Sequence, residues 1–304
     1  MVSPTILLIG HDGQVAWELQ RTLACLGRVI ALGRATQPAL DLLQRQGLRQ
    51  TLREIRPDII VNAAAYTAVD KAESEPETAQ RINAEAVGIL AEEARTLGIG
   101  LVHYSTDYVF SGLANRPYVE DDPTDPLGVY GHGKLAGEEA IRAAGVPHLI
   151  LRTAWVYGRR GQNFLLTMLR LMRERDELGI VADQFGAPTW SRLIAEATAL
   201  MLCACLKEGR FALDDVSGTY HLTSQGQTSW HGFAEAIRDI GLARGLLDPS
   251  AARLKPITTL EYPTPARRPA YSVLSNRKLR ERFGIALPDW RAALELCLAE
   301  TTLP

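Results

Sequence analysis

The chain of 304 residues is 46% hydrophobic and 22% charged, and its formal net charge is −2. This composition is typical of a globular protein with one large domain, or with one large and one small domain. The near-zero net charge argues against a general nucleic-acid-binding surface, and no apolar run approaches the roughly 20 residues of a membrane-spanning helix. We also expect no signal peptide, because the apolar run at residues 5–10 is short and leads into a glycine turn.

The four cysteines, Cys25, Cys203, Cys205 and Cys297, form no C-x-x-C pair. Cys203 and Cys205 would point to opposite sides of a helix, so we do not expect them to share a metal ion. Cysteines in helix-like stretches without partners are typical of reduced, buried thiols in a cytoplasmic protein. We therefore predict a cytoplasmic location.

The first predicted strand, residues 5–9, is a continuous apolar run, as expected of a strand covered on both faces. It is followed by a turn with the spacing G-x-x-G-x-x-A and by a predicted helix of residues 17–26. Gly10 permits the tight turn, Gly13 lets a phosphate approach the backbone N–H groups, and Ala16 keeps the helix close to the strand. The spacing differs from the commoner G-x-G-x-x-G, which favours a different subgroup of nucleotide-binding folds. A plain βα turn is the alternative.

The second predicted strand, residues 28–32, ends next to Arg34. In dinucleotide-binding folds this position meets the adenosine ribose, where an acidic side chain accepts from a 2′-hydroxyl and an arginine pairs with a 2′-phosphate. Arg34 therefore favours NADPH over NADH, with a solvated loop arginine as the alternative. After a loop, Asp41 and Leu42 are candidates to flank the adenine.

The third predicted strand, residues 57–62, is followed by the segment Ala63-Ala64-Ala65-Tyr66-Thr67. Small residues just past a strand let a flat cofactor lie against the backbone, so we predict cofactor contacts from this segment. Helical segments are predicted at residues 48–55, 69–73 and 76–97.

The fourth predicted strand, residues 100–105, leads to Thr106, and a later helix that runs to about residue 144 carries Tyr130 and Lys134. The spacing Tyr-x-x-x-Lys puts the phenol and the ammonium on one face of that helix, one turn apart. A ketone reduced by hydride needs a proton donor with a pKa near neutrality, whereas a free phenol has a pKa of about 10. We predict that Tyr130 is that donor, that Lys134 lowers its pKa and bonds the nicotinamide ribose, and that Thr106 polarises the carbonyl.

A fifth predicted strand, residues 148–152, completes a repeated β-α pattern. This pattern predicts an α/β fold: a Rossmann-type doubly wound parallel sheet, with ligands at the carboxyl ends of its strands. We assign residues 1–155, plus returning segments of the second half, to an NADP-binding Rossmann domain. Residues 156–304 are assigned mainly to a smaller, interleaved α/β substrate lobe, because the predicted elements become short and irregular there. Its predicted helices are residues 164–175, 191–207, 229–240, 276–283 and 288–300, and its predicted strands are residues 179–182, 219–222 and 254–257.

With these residues in place, the chain resembles the extended short-chain dehydrogenases/reductases. The resemblance spans nearly the whole chain and rests on the segments GHDGQVAWEL, RPDIIVNAAAYTAVDKAESEPE, VHYSTDYVFSG, PLGVYGHGKLAGE, LRTAWVYG, DQFGAPT, YHLTSQGQTSWHGFA and YPTPARRPAYSVL. Within that family it is strongest to the reductases of dTDP-L-rhamnose synthesis. It implies NADPH-dependent reduction of the 4-keto group of dTDP-6-deoxy-L-lyxo-4-hexulose, with Thr106, Tyr130 and Lys134 at the catalytic positions.

The residues and the resemblance together predict one set of cofactor contacts: Gly10, Asp12, Gly13, Gln14, Val15, Arg34, Asp41, Leu42, Ala63, Ala64, Ala65, Tyr66, Thr67, Tyr130 and Lys134. The predicted sugar-nucleotide contacts are Thr106, Asp107, Tyr130, Trp155, Asn163, Gln184 and Arg268. Of these, Trp155 matches a residue that packs on the sugar, although an ordinary core tryptophan is the alternative. Arg268 supplies positive charge for the diphosphate, with a solvated loop arginine as its alternative.

Two other functions stay open. An epimerase or dehydratase of the same fold would keep its cofactor tightly bound, usually as NAD; Arg34 and the lack of an Asp-Glu pair next to Thr106 argue against it. A regulatory NADP-binding subunit would keep the fold without turnover. The resemblance also implies a bound Mg²⁺ at a dimer contact in some members, but Asp289 and Glu300 are widely spaced. We therefore name no metal ligand and predict a monomer or a homodimer.

Overall fold

The computed structural model describes residues 3–299. Its strands are β1 (Thr5–Ile9), β2 (Arg28–Leu32), β3 (Ile59–Asn62), β4 (Gly100–Thr106), β5 (His148–Thr153), β6 (Val156–Tyr157), β7 (Glu177–Val181), β8 (Phe185–Gly186), β9 (Thr189–Trp190), β10 (Leu206–Lys207), β11 (Arg210–Phe211), β12 (Gly218–His221), β13 (Thr228–Ser229) and β14 (Arg253–Ile257). Its helices are α1 (Gln14–Thr22), α2 (Arg45–Ile55), α3 (Val69–Ala72), α4 (Pro76–Gln80), α5 (Ala86–Leu97), α6 (Val129–Ala144), α7 (Phe164–Glu174), α8 (Ser191–Cys205), α9 (Trp230–Ala243), α10 (Arg277–Phe283) and α11 (Trp290–Ala299).

A six-stranded parallel sheet in the order β12-β5-β4-β3-β1-β2 forms the centre of the described residues. Its strands carry mainly apolar side chains because helices cover both faces, and most of their polar residues lie toward the carboxyl ends. In β1, Ile6 and Leu8 point into one core with α1 and α8, whereas Leu7 and Ile9 point into the other with α2, α5 and α6. The predicted doubly wound parallel sheet is confirmed.

The order of the strands reverses at β1, since β2 lies on one side of it and β3 on the other. Ligands of such sheets bind outside the carboxyl ends of the strands at this reversal. The predicted glycine turn follows β1, and the predicted small-residue segment follows β3, so both lie at the reversal.

Residues of the second half contribute both to the sheet and to a separate core. Strand β12 returns to pair with β5, which agrees with an interleaved lobe. Helices α7, α9 and α11 surround a second apolar cluster that includes Leu169, Phe233 and Leu294. The division of the chain near residue 155 stays a prediction.

Three local predictions differ from the structure. The loop of residues 183–189 contains β8 and the start of β9, which pair with β13 and β6. The helix predicted at residues 76–97 contains a π-helical segment, Arg81–Glu85, between α4 and α5. No disulfide joins the four cysteines, which all lie within residues 3–299, and only Cys205 and Cys297 are buried, because Cys25 and Cys203 lie on outward-facing positions of their segments.

No helix in the described range has the length and apolarity to cross a membrane.

Candidate active site

An elongated cleft of about 680 Å³ lies along the carboxyl ends of β1, β2 and β3. It is lined by most of the predicted cofactor residues: Gly10, Asp12, Gly13, Arg34, Asp41, Leu42, Ala63, Ala64, Ala65, Tyr66 and Thr67. The cleft therefore brings together three segments that the sequence assigned separately to the pyrophosphate, the adenosine ribose and the cofactor backbone.

The glycine turn is packed tightly against the segment after β3. Gly10 has φ +109°, and a Cβ there would lie 3.0 Å from the backbone carbon of Ala63 and the nitrogen of Ala64. A side chain would thus close the space between the two loops. Helix α1 starts directly after Gly13, an N-cap residue that has no side chain to cap the helix, so the first backbone N–H groups can bind an anion. These features fit the pyrophosphate of a dinucleotide.

Gln14 and Val15 occupy the first turn of α1 rather than the lining of this cleft. The side-chain oxygen of Gln14 accepts a hydrogen bond of 2.9 Å from the amide of Asn163. Asn163 also caps α7, because its Oδ1 accepts from the backbone N–H of Leu166 at 3.1 Å. One predicted cofactor residue and one predicted substrate residue therefore bind each other and join the glycine turn to α7.

Asn83, which no sequence motif singled out, holds the segment after β3. It is fully buried in the π-helical segment, accepts from the backbone N–H of Tyr66 at 2.8 Å, and donates to the Tyr66 carbonyl at 3.0 Å. The only signal in the sequence is an asparagine in an otherwise helical, partly apolar stretch.

Thr106 is the last residue of β4 and is 5% exposed. Its Oγ1 accepts from the backbone N–H of Tyr108 at 3.2 Å and lies 3.1 Å from Asp107 Oδ1, to which it donates. Burial raises the pKa of Asp107 to about 6, although hydrogen bonds from Ser272 and Thr106 act in the opposite direction. A carboxylate so close to the proposed site keeps the hydroxyl of Thr106 oriented.

Tyr130 lies in the first turn of α6, with its ring edge-on to Tyr108 at a centroid distance of 5.8 Å. Burial raises the pKa of Tyr130 to about 12, and a hydrogen bond with Thr106 partly opposes that rise. The structure thus brings the predicted phenol and hydroxyl together. The proline-rich loop of residues 262–269 lies against Tyr130, since Tyr130, Ala266 and Arg267 line a common small cavity.

Lys134 follows one turn later in α6 and is 1% exposed. Its Nζ lies 2.6 Å from the Tyr104 carbonyl and 3.0 Å from Nε2 of His103. Burial lowers the pKa of Lys134 to about 8, and the charge of Glu138 partly opposes that change. The predicted lowering of the Tyr130 pKa by Lys134 is not seen: burial of the phenol dominates, and the lysine Nζ is bonded to β4.

The remaining predicted substrate residues, Trp155, Gln184 and Arg268, all belong to the second half of the chain. Trp155 has φ +47° and stacks on Trp230 at 3.6 Å with an angle of 5° between the rings. Arg268 pairs with Asp70 of α3 at 2.7 Å. Gln184 donates to Thr259 Oγ1 at 3.0 Å. Trp230 and Asp70 were not predicted as site residues, because each is distant in the chain from its partner.

Three comparisons relate the chain to known proteins. The model of the family described as RmlD substrate binding domain matches residues 4–303. The chain is 53% identical to a dTDP-4-dehydrorhamnose reductase of Burkholderia thailandensis, over 97% of this chain and 98% of the relative. It is 48% identical to the enzyme of that name from Escherichia coli K12, over 97% of each. A crystal structure of dTDP-4-dehydrorhamnose reductase from Bacillus anthracis in complex with NADP is 32% identical, covers 99% of this chain and 100% of its own, and superposes with a TM-score of 0.87.

Proposed function

The chain belongs to the RmlD substrate binding domain family, and we infer that it catalyses the reaction for which its curated relatives are named. That reaction is the NADPH-dependent reduction of the 4-keto group of a dTDP-linked 6-deoxyhexulose to give dTDP-L-rhamnose. The chain is therefore an NADP-dependent oxidoreductase of dTDP-rhamnose synthesis.

The observation that carries the residue assignment is the position of Thr106, Tyr130 and Lys134 at the carboxyl end of β4. This strand is the neighbour of β3, whose following segment lines the 680 Å³ cleft. A cofactor lying in that cleft, with its pyrophosphate at the start of α1, would extend toward these three side chains. We assign the cleft-lining residues to cofactor binding. We also assign Gln14 and Val15 to it, through the backbone N–H groups of the first turn of α1.

NADPH supplies the hydride that reduces the ketone carbon. The oxygen of that ketone would gain negative charge as the hydride arrives. The hydroxyl of Thr106, which donates to Asp107 in the structure, would turn to donate to this oxygen, and one such donor contributes about 1–3 kcal/mol. Because the pKa of Tyr130 is raised to about 12, the phenol is protonated at neutral pH and can hand its proton to that oxygen. Below its pKa of about 8, Lys134 carries the positive charge that stabilises the phenolate left behind.

On the substrate side we propose that Trp155 packs on the sugar and that Arg268, oriented by Asp70, faces the diphosphate. Asp107, Asn163 and Gln184 complete the proposed set of contacts. The NADP complex of a relative supports NADPH as the cofactor, and Arg34 in the cleft supports the preference over NADH.

A direct assay tests the function. The protein is mixed with NADPH and the 4-keto sugar nucleotide, and the absorbance of the reduced nicotinamide is followed. Continuing loss, equal in amount to the sugar reduced, supports the reductase. A new sugar without net loss of NADPH would indicate an epimerase, and nucleotide binding without turnover would indicate a regulatory subunit.

Replacing Tyr130→Phe tests the proton donor. Turnover should fall by roughly two to four orders of magnitude, the usual contribution of a general acid, while NADPH binding is retained. Tyr220→Phe is the matched control. Tyr220 lies in the edge strand β12, and its hydroxyl donates to the Val216 carbonyl at 2.7 Å. Full turnover by the Tyr130 variant would mean that another group donates the proton.

The predictions about a metal ion, the oligomeric state and the location in the cell are not tested by these findings. Within residues 3–299, no three His, Cys, Asp or Glu side chains form a group that fits a metal ion, and Glu300 lies outside the described residues. Binding of Mg²⁺, the choice between monomer and homodimer, and the cytoplasmic location stay predictions.

A further inference from the structure

A row of three polar side chains crosses the core next to the proposed site. Asn62 at the end of β3, His103 in β4 and Lys134 in α6 are 1%, 0% and 1% exposed. Asn62 Nδ2 lies 3.0 Å from His103 Nδ1, and His103 Nε2 lies 3.0 Å from Lys134 Nζ. The proposed reaction uses only the lysine at one end of this row.

The backbone at the other end of the row determines which way its hydrogen bonds run. The N–H of Ala64 donates to Oδ1 of Asn62 at 3.2 Å, so the amide turns its NH₂ group toward His103. The imidazole Nδ1 must then accept, which places the ring proton of a neutral histidine on Nε2. That proton points at Lys134 Nζ. An amine can accept it, whereas an ammonium has no lone pair.

We propose that Asn62 and His103 are positioning residues that hold Lys134 and set the pH at which it becomes charged. The proposal rests on the proposed function, in which the charge of Lys134 stabilises the phenolate of Tyr130. With Asn62 in this orientation, the amine form of Lys134 accepts from His103 Nε2 and donates to the Tyr104 carbonyl. The ammonium form requires the amide of Asn62 to turn over, which would leave the N–H of Ala64 without its acceptor.

The row favours the neutral amine of Lys134, and other charged groups near the row either oppose this preference or do not change it. Glu138 lies one turn beyond Lys134 in α6 and favours the ammonium, although its carboxylate is paired with Arg152 at 2.7 Å and with Arg142 at 2.5 Å. Burial and the charge of Lys134 lower the pKa of His103 well below its usual range, so the imidazole itself stays neutral at working pH. The lysine is therefore the group of this row that titrates.

The row also connects the lysine to the cofactor cleft. Ala64, whose N–H fixes the amide of Asn62, lines that cleft. A movement of this segment would thus change the hydrogen bond that orients the asparagine, and through the imidazole the preferred charge of Lys134.

Nuclear magnetic resonance of the wild-type protein with ¹⁵N-labelled histidine gives the first test. The ring nitrogens of His103 should show the Nε2–H tautomer at pH 9, where Lys134 is largely neutral. An Nδ1–H tautomer at that pH would overturn the proposal. This readout needs no turnover, so it separates a failure of the proposal from a failure of the proposed function.

Asn62→Asp gives the second test. Its carboxylate keeps one oxygen for Ala64 and offers the other to Nδ1–H, which moves the ring proton and makes Nε2 an acceptor for the ammonium. The alkaline limb of the pH profile of kcat/KM should move upward by about one pH unit or more. An unchanged limb would contradict the proposal.

A double variant separates this route from simple attraction by the new charge. In a His103→Leu background the same Asn62→Asp change should shift the limb much less, since leucine has neither a donor nor an acceptor to transmit it. Equal shifts in both backgrounds would mean that only the added charge acts, and would overturn the proposal. His132→Gln, an exposed change on α6, should leave the profile unaltered.

Discussion

Gly186 is the residue whose replacement tests most directly how Trp155 is held. A Cβ at Gly186 would lie 2.5 Å from Cε2, 2.6 Å from Nε1 and 2.8 Å from Cζ2 of the Trp155 indole. The indole has little room to retreat, because the ring of Trp230 covers one of its faces at a centroid distance of 3.6 Å and its backbone has φ +47°. Gly186→Ala must therefore displace the indole.

Two energies follow from this geometry. Overpacking of this kind destabilises a protein by about 1–3 kcal/mol. If the displaced indole also loses its packing on the sugar, and that packing is worth as much as an aromatic pair, about 0.5–1.5 kcal/mol of binding is lost. Since about 1.4 kcal/mol is a factor of ten, the KM for the sugar nucleotide should rise roughly two- to twelvefold.

The assay combines steady-state kinetics with varied sugar nucleotide, NADPH binding by fluorescence, and unfolding in urea. The KM should rise and the unfolding midpoint should fall, while NADPH affinity stays the same. Gly88→Ala in α5 is the matched control, since its Cβ would lie 3.5 Å from that of Ala140, an ordinary contact. A helical glycine replaced in this way should stabilise the chain by about 0.5–1 kcal/mol and leave KM unchanged.

The outcome for Gly186→Ala separates the packing of Trp155 against Gly186 from the contact of Trp155 with the sugar. A lower stability with an unchanged KM would show that Trp155 is displaced but does not contact the sugar. Wild-type stability and wild-type KM together would refute the packing argument itself.

Two further predictions concern the cofactor and the stability at acid pH. Arg34→Asp removes a partner for the 2′-phosphate and adds a repelling charge, so the ratio of kcat/KM for NADPH over NADH should fall about tenfold or more; an unchanged ratio would remove Arg34 from the ribose site. His221 is buried, and burial together with the charge of Arg152 lowers its pKa to about 3, so the folded protein does not take up the proton that the unfolded chain binds below its ordinary pKa of about 6.5. Stability is therefore lost as the pH falls from about 6.5 toward 3, and His221 alone accounts for about 1 kcal/mol between pH 6.5 and 5.5. Urea unfolding at these two pH values should show a smaller loss for His221→Gln, and equal losses in both proteins would contradict this assignment.

The sequence by itself determined the parallel sheet and which segments lie at the carboxyl ends of its strands, where ligands bind. Apolar runs of four to seven residues that alternate with amphipathic helices leave a parallel sheet covered on both faces as the compatible fold. The turn after β1, the small residues after β3 and Thr106 after β4 each follow a strand directly. Because the carboxyl ends of parallel strands meet at one edge, their proximity in space follows from their positions in the chain.

The spacing of Tyr130 and Lys134 likewise determined that they share a helix face, but not where the lysine would bond. The helical period places the side chains of Tyr130 and Lys134 on one side of α6. The groups that Lys134 bonds belong to β4, which is distant from α6 in the chain. Only the packing of α6 on β4 put Lys134 against His103 and the Tyr104 carbonyl, and only burial raised the pKa of Tyr130.

The tertiary structure alone decided the contacts between distant segments. Asp70 and Arg268, and Trp155 and Trp230, are separated by many elements, and no local pattern relates their positions. The pairing of strand β12 with β5 was likewise decided by the tertiary structure. A strand of four residues is too short to predict its partner, and its place depends on how the preceding helices pack. Local hydrogen bonding and periodicity are properties of neighbouring residues, whereas these contacts depend on how completed elements pack together.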